Sequence, residues 1–312
     1  MLRRSPRLPP EMMDHVIDFV PEYPDNQSSQ ATLLALCLSC KATKPRSERN
    51  LFRAPYISSS TACYYFQKKL TEIPARRERV ESLVVNGRTW LAALHISVSE
   101  PRGNTNFHVL PDVLRACPNL KHLTISNFSD GHGYSLLEFA RTQREHSALR
   151  SLTVENCEFQ EYKDIEALLC RVPSLRSLTM KDITVCQPVE AGLRAAQSLI
   201  KAPLILHDLT FHETRVAEHS DRSVYDPRCH PLHRWLMVLT AAHAEQVDVS
   251  VMFLDDHIFL GILPPYEDMK ALSLSFGHRL RCPAPFLQKV QKHVVAHVPD
   301  FSFGISHETR HA

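Results

Sequence analysis

The chain has 312 residues, 44% of them hydrophobic and 22% charged, with a net charge of +2 when His is neutral. Such a composition excludes a disordered polymer and provides apolar mass for a sizeable core. Acidic and basic residues are interleaved along most of the length, which excludes a long-range field drawing in nucleic acid or anionic lipid. The 9 cysteines are odd in number and scattered, which fits reduced thiols better than a disulfide framework and gives an expected location in the cytoplasm or nucleus.

Residues 1–7 are expected to be disordered. Behind Arg3, Arg4 and Arg7 stand Glu11, Asp14 and Asp18, where a secretory signal carries an apolar core. No run approaches the roughly 18 apolar residues that span a bilayer, so no membrane contact is expected. Leu8-Pro9-Pro10-Glu11 opens the first ordered segment, since a proline in a first helical turn lacks only an N–H that has no partner there. Met13, Val16, Ile17 and Val20 then fall at i, i+3, i+4 and i+7, one stripe of a helix that Pro21 ends. A polar loop, Pro21 to Ser29, leads to a second helix from Ala31 to about Thr43, burying Leu33, Leu34, Leu36, Cys37 and Cys40. A third short helix is predicted from Pro45 to Phe52.

Ala54 to Ser58 reads as a strand, and Thr61 to Ile73 as a helix with Ser60 as its cap. Beyond it one phrase recurs. Leu-Arg-Ser-Leu-Thr stands at Leu149 to Thr153 and again at Leu175 to Thr179, with looser copies at Val80 to Val85, Leu120 to Ile125, Leu206 to Phe211 and Met269 to Leu274. Gln246 to Val251 is a weaker copy, aligned on Val249. The steps between copies are about 23 to 40 residues, where leucine-rich solenoids repeat at about 20 to 29 and place insertions in loops. Helical stretches are predicted at Val109 to Ala116, Leu136 to Arg144, Ile165 to Arg171, Val189 to Leu199, His233 to Ala242, His257 to Leu263 and Gln288 to His297. Leu91 to Val98 reads as an extra strand or irregular unit, and Phe301, Phe303 and Ile305 as a closing strand. Residues 307–312 are expected to fray.

Strands separated by helices must pair in parallel, because parallel neighbours need a crossover connection. Parallel strands covered on both faces are continuously apolar, yet these alternate apolar with polar residues, so one face stays open to water. The expected fold class is therefore α/β: a short helical unit over residues 8–53, then a curved αβ solenoid with a parallel sheet over residues 54–306. With Leu83, Leu123, Leu152, Leu178, Leu209, Val249 and Leu272 inward, Val84, Thr124, Thr153, Thr179, Thr210, Ser250 and Ser273 face outward. The next outward column is Asn86, Ser126, Glu155, Lys181, His212, Met252 and Ser275. Candidate partner-binding residues on this concave face are Thr124, Thr153, Glu155, Thr179, Lys181, Thr210 and His212. The plainer explanation is that Thr favours strands and that Glu155 and Lys181 form a cross-strand charge pair of about 0.2–1 kcal/mol. The loops Pro101 to Asn106 and His212 to Pro231 are competing surfaces.

Little else carries chemistry. Cys37 and Cys40 form a C-x-x-C with no second pair at zinc-site spacing, and no metal is expected. Neither H-E-x-x-H nor G-x-S-x-G occurs, and Gly131-His132-Gly133 lacks the strand and helix context of a phosphate loop. The basic clusters Lys41, Lys44, Arg46, Arg49 and Arg76, Arg77, Arg79 have no interleaved aromatic platform and read as solvated helix ends. No catalytic residue, cofactor or nucleic-acid partner is expected.

The segment from Leu8 to about Arg53 carries a resemblance. Leu-Pro-Pro-Glu-Met-Met-Asp-His-Val-Ile-Asp-Phe-Val-Pro, then Leu-Ala-Leu-Cys-Leu-Ser-Cys-Lys-Ala, then Asn-Leu-Phe-Arg resembles an F-box, in the degenerate form common in fungal proteins. The resemblance implies a non-catalytic substrate-recognition subunit of a cullin-RING ubiquitin ligase. A Skp-family adaptor would dock on Leu8, Pro9, Ile17, Val20 and Leu34 and bring in the cullin, while the leucine-rich array binds a protein substrate. Packing inside the helical unit is the competing role for those apolar residues. A leucine-rich interaction scaffold without a ligase role is the alternative function.

Overall fold

The computed structural model describes residues 9–22, 26–87, 109–128, 148–159, 164–165, 168–169, 172–185, 206–216, 246–251, 271–277 and 300–306. The chain is an α/β protein that divides into two compact units, Met1–Thr124 and Ile125–Ala312, and the strand pairs described below are parallel.

The first unit begins with helices α1 (Pro10–Phe19), α2 (Asn26–Ser39) and α3 (Lys44–Arg53), with a 3-10 turn Val20–Glu22 after α1. Pro10 opens α1, and the Pro9 carbonyl accepts the first helical bond from Met13 N at 3.1 Å. α2 starts at Asn26, so residues 26–29 are helical where a loop was expected. Their polar composition is a weak signal, and tertiary packing that buries Ser29 overrides it. α3 packs against both other helices and against a 3-10 helix, Pro74–Arg79.

Strand β1 (Tyr56–Ile57), helix α4 (Ser60–Glu72), strand β2 (Ser82–Asn86) and helix α5 (Val109–Arg115) complete the unit up to β3 (His122–Ser126), the strand within which the two units divide. The cap of α4 is Ser59, not Ser60. Ser59 has the extended backbone a cap needs and accepts Ala62 N on its hydroxyl at 3.1 Å, while Ser60 is already helical. β1 runs parallel to β2, with Tyr56 opposite Val84 and Ile57 opposite Val85. Leu70, Val80, Leu83, Val85, Leu110, Leu114, Leu120 and Leu123 form the core beneath α4 and α5. Residues 54–124, expected to belong with the repeats, thus share one unit with the three helices.

The second unit carries β4 (Ser151–Glu155), β5 (Glu158–Phe159), β6 (Ser177–Val185), β7 (Asp208–Val216), β8 (Gln246–Val251), β9 (Ala271–Gly277) and β10 (Asp300–Ser306). The strand order is β4-β6-β7-β8-β9-β10, with β5 pairing the far end of β6. Leu152, Leu178 and Leu209 stand opposite one another, as the phrase predicts. On β8 the residue opposite Leu209 is Val247, not the expected Val249. A slip of two keeps every side chain on its face, so alternation alone cannot detect it, and only the neighbouring strand sets the register. Helical residues 164–165 and 168–169 precede β6, with Ile165, Leu168 and Leu169 buried. The expectations for 91–98, 136–144, 189–199, 233–242, 257–263, 288–297 and both chain ends lie outside the described residues.

The role of each position in the phrase follows from its hydrogen bonds. Both leucines go inward: Leu149 and Leu152, Leu175 and Leu178, Leu206 and Leu209 are all buried. The residue after the first leucine turns its carbonyl toward the next copy and accepts two N–H groups. Arg150 O takes Arg176 N at 2.8 Å and Ser177 N at 2.9 Å, and Arg176 O takes His207 N at 2.7 Å and Asp208 N at 3.1 Å. In the first unit Glu81 O takes Lys121 N and His122 N in the same way.

A second half of the repeat follows each strand phrase. Asn127, Asn156 and Asp182 have φ of 60°, 49° and 49°, a left-handed conformation that Asn and Asp tolerate better than most residues. Each is followed by a buried apolar residue, Phe128, Cys157 and Ile183. Asn127 N donates to Glu155 O at 2.9 Å, Asn156 N to Lys181 O at 2.8 Å, and Asn156 Nδ2 to Asn127 Oδ1 at 2.7 Å. The left-handed residues thus form a ladder of their own, just after β3 and β4 and within β6.

Candidate functional site

Two surfaces stand out, one in each unit. On α1 the side chains of Met12, Val16 and Phe19 are exposed, Phe19 at 63%, and their spacing puts them on one face of the helix. On α2, Leu34 at 45% and Leu38 at 87% are one turn apart and exposed. Five large apolar side chains on two helices of one unit thus face outward, an arrangement that marks an interaction surface more often than isolated exposed residues do.

The inner face of α1 explains why this stripe stays outside. Ile17 is 1% exposed, and Met13 and Val20 are half-buried. Asn50 of α3, itself buried, donates from Nδ2 to Ile17 O at 3.2 Å and to Asp18 Oδ1 at 3.0 Å. Arg46, one turn earlier on α3, donates from Nε to Asp18 Oδ1 at 2.9 Å and from Nη1 to Asp14 Oδ2 at 2.9 Å, and its Nη2 also reaches Asp18. These bonds from Arg46, then that from Asn50, hold the Asp18 carboxyl well below the usual carboxylate range. α1 is clasped to α3 with one apolar stripe inward and one outward.

Of the expected adaptor contacts, Leu8 lies outside the described residues. Pro9 and Leu34 are exposed, and Val20 is half-buried in the 3-10 turn. Ile17 is 1% exposed, so its side chain packs within the first unit, the competing role expected for it. Met12, Val16, Phe19 and Leu38, not among the expected contacts, are also exposed. Met12, Val16 and Phe19 fall at i, i+4 and i+7, and Val16, expected on one stripe with Met13, Ile17 and Val20, is 54% exposed.

Of the basic clusters, Arg76 and Arg77 join Arg46 in having partners. Arg76 pairs with Glu48 and lies over the Phe52 ring at 4.5 Å, and Phe52 stacks on Phe66 at 5.9 Å. Arg77 donates to Leu70 O at 2.9 Å, and Arg53 to Glu81 at 3.1 Å.

In the second unit the expected binding residues form two rows. Thr153, Thr179 and Thr210 stand in register on β4, β6 and β7, all half-buried between inward leucines. The register continues the row through Asp248, Ser273 and Ser302, with Asp248 where Ser250 was expected. Glu155, Lys181 and His212 form the second row, which runs on through Ser250 in place of Met252 and then Ser275. Thr124, on β3 of the first unit, is likewise half-buried.

Among the described cysteines, burial pushes the thiols of Cys63, Cys117 and Cys157 up to about 12, leaving them inert near neutral pH. Among the described residues no group of three or more His, Cys, Asp or Glu gathers as a metal site, and no helix is long and apolar enough to cross a membrane. No protein-family model matches the chain, and no curated protein matches it.

Proposed function

We propose that this chain is a non-catalytic substrate-recognition subunit of a Skp-cullin-F-box type ubiquitin ligase. Helices α1 and α2 dock a Skp-family adaptor, and a curved leucine-rich-repeat array presents its open strand face to a protein substrate. The location that goes with this role is the cytoplasm or nucleus. The observation that carries the reading is the outward apolar set Met12, Val16, Phe19, Leu34 and Leu38, displayed on helices whose opening Leu-Pro-Pro-Glu resembles an F-box.

Magnitudes make the docking sensitive to single anchors. Five such side chains yield about 1.5–3 kcal/mol apiece when fully buried, against an association cost of about 4–15 kcal/mol. The balance is narrow, so removing two anchors tips it. On the strand face, the hydroxyl row and the Glu155, Lys181, His212 row offer polar, directional contacts to the substrate.

The test is affinity purification of the full chain from its native cell. Recovery of a Skp-family adaptor and a cullin is expected, and Phe19→Asp with Leu38→Asp should abolish it while leaving the circular dichroism spectrum unchanged. Undiminished recovery with the doubly substituted chain overturns the docking surface. Recovery of neither component with the native chain favours the interaction scaffold without a ligase role.

A further inference from the structure

Cys37 lies in the last turn of α2, and Cys40 immediately follows the helix. Each sulfur ties down the turn into α3. Cys37 Sγ reaches Lys44 O at 3.9 Å, and Cys40 Sγ lies 3.2 Å from Thr43 Oγ1. Thr43 is buried, and its single hydroxyl proton faces three acceptors: Leu36 O at 2.7 Å, Cys40 O at 3.2 Å and the Cys40 sulfur. Either Cys40 Sγ or Thr43 Oγ1 can be the donor in their contact. A Cys40 thiolate can only accept, and it then competes with Leu36 O for the Thr43 proton.

We infer that Cys37 and Cys40 are a peroxide-sensitive dithiol whose oxidation to a disulfide loosens the turn between α2 and α3. The two thiols differ in the way such a pair requires. Cys40 is exposed, and the Thr43 hydroxyl followed by backbone N–H groups of Thr43 and Ala42 favours its thiolate, lowering its pKa. Cys37 is half-buried, and desolvation followed by the Glu48 charge raises its pKa. Cys40 is therefore the attacking thiol and Cys37 the resolving one.

The chemistry balances with a peroxide as oxidant. The Cys40 thiolate attacks one oxygen of hydrogen peroxide, the O–O bond breaks, and hydroxide leaves and takes up the proton released by the thiol. Cys37, as it loses its own proton, attacks the sulfur of the resulting sulfenic acid, the S–O bond breaks, and a second water leaves. Two thiols lose two electrons, and the peroxide is reduced to water.

Geometry makes the product consequential. A disulfide holds its two Cβ atoms about 3.5–4.5 Å apart, closer than the roughly 5–6 Å of helical neighbours, and Cys40 stands just past the end of α2, where the chain leaves the helix. Closing the bridge draws the two sulfurs toward each other and away from Lys44 O and Thr43 Oγ1, the contacts that hold the turn.

The experiment treats the reduced full chain with stoichiometric hydrogen peroxide, alkylates the remaining thiols and maps the peptides by mass. The expected result is that Cys37 and Cys40 together lose alkylation and two hydrogen atoms in mass, while Cys63, Cys117 and Cys157 stay fully alkylated. Amide exchange at residues 41–47 should become several-fold faster and return to its starting rate on reduction. Cys37→Ser should stop at a Cys40 sulfenic acid that dimedone traps, and Cys40→Ser should leave Cys37 alkylatable. The inference is overturned if both thiols stay alkylatable after peroxide, if Cys40 pairs elsewhere, or if the disulfide forms without a change in exchange.

Discussion

The three N-terminal helices and the strand repeats that begin at Leu149 both bury apolar side chains, but they join neighbouring elements by different means. α1 is held to α3 by named side chains, Arg46 on Asp14 and Asp18 and Asn50 on Ile17 O and Asp18. Successive strand copies are held mainly by main chain, Arg150 O to the next copy, Arg176 O to the one after and Asn156 N to Lys181 O, with Asn156 Nδ2 on Asn127 Oδ1 as a side-chain link. A side-chain clasp depends on residue identity. A backbone ladder leaves the outward residues free to vary, which suits a face that must acquire its chemistry for a partner. The two regions also present opposite materials, exposed apolar side chains on α1 and α2 and half-buried hydroxyl or charged residues on the strand face.

That contrast can be broken most severely from the core. Leu178→Ala, between Leu152 and Leu209, should cost about 2–5 kcal/mol and raise amide exchange across β4, β6 and β7. Ile17→Ala should cost a similar amount and raise exchange in α1 and α3. If each change loosens both regions equally, the division into separately held regions is wrong. Asn50→Ala removes a buried donor from two acceptors and should lower helical stability by about 1–3 kcal/mol, measured by the same exchange. In the repeats, Asn156→Val should cost about 1–2 kcal/mol because a β-branched residue resists φ near 49°, while Asn156→Gly should cost less; equal costs would remove the backbone explanation.

Smaller effects sharpen the comparison. Arg46 and its two partners are each two-fifths or more exposed, so Arg46→Ala should lower helical stability only slightly, and less still in high salt. The lowered pKa of Asp18 means that its contribution is present above the unfolded carboxylate value near 3.9 and is lost as pH falls below it toward the folded value. Acid titration of helical stability should therefore weaken below about pH 4, and Asp18→Asn should flatten that dependence. Arg176→Ala, at a position whose inter-strand bonds are all main chain, should stay within about 0.5 kcal/mol; a larger loss would show that the side chain shares the ladder's work.

Much of this was legible before any coordinates. The doubled Leu-Arg-Ser-Leu-Thr announced two strands whose leucines pair and whose threonines align, because strand periodicity is local and its two faces differ in polarity. The left-handed turns were legible in principle, since Asn127, Asn156 and Asp182 recur at one offset and each precedes an apolar residue, but short Asn and Asp signals are easily taken for ordinary loop composition. Ser59 and Ser60 are chemically equal as caps, and only their backbone angles separate them.

Among the described residues, the sequence by itself placed the strands of the repeated phrase, their parallel pairing, and the inward leucines of β2, β3, β4 and β6. These follow from spacing along the chain and from the need to hide apolar surface. Tertiary structure alone decided that Ile17 turns inward while Met12, Val16 and Phe19 remain outside, that Val247 stands opposite Leu209, and that Thr43 bonds Leu36 and Cys40. Two apolar stripes on one short helix, two registers differing by an even step, and a hydroxyl with three acceptors are each locally degenerate, and only a neighbour distant in sequence selects among them.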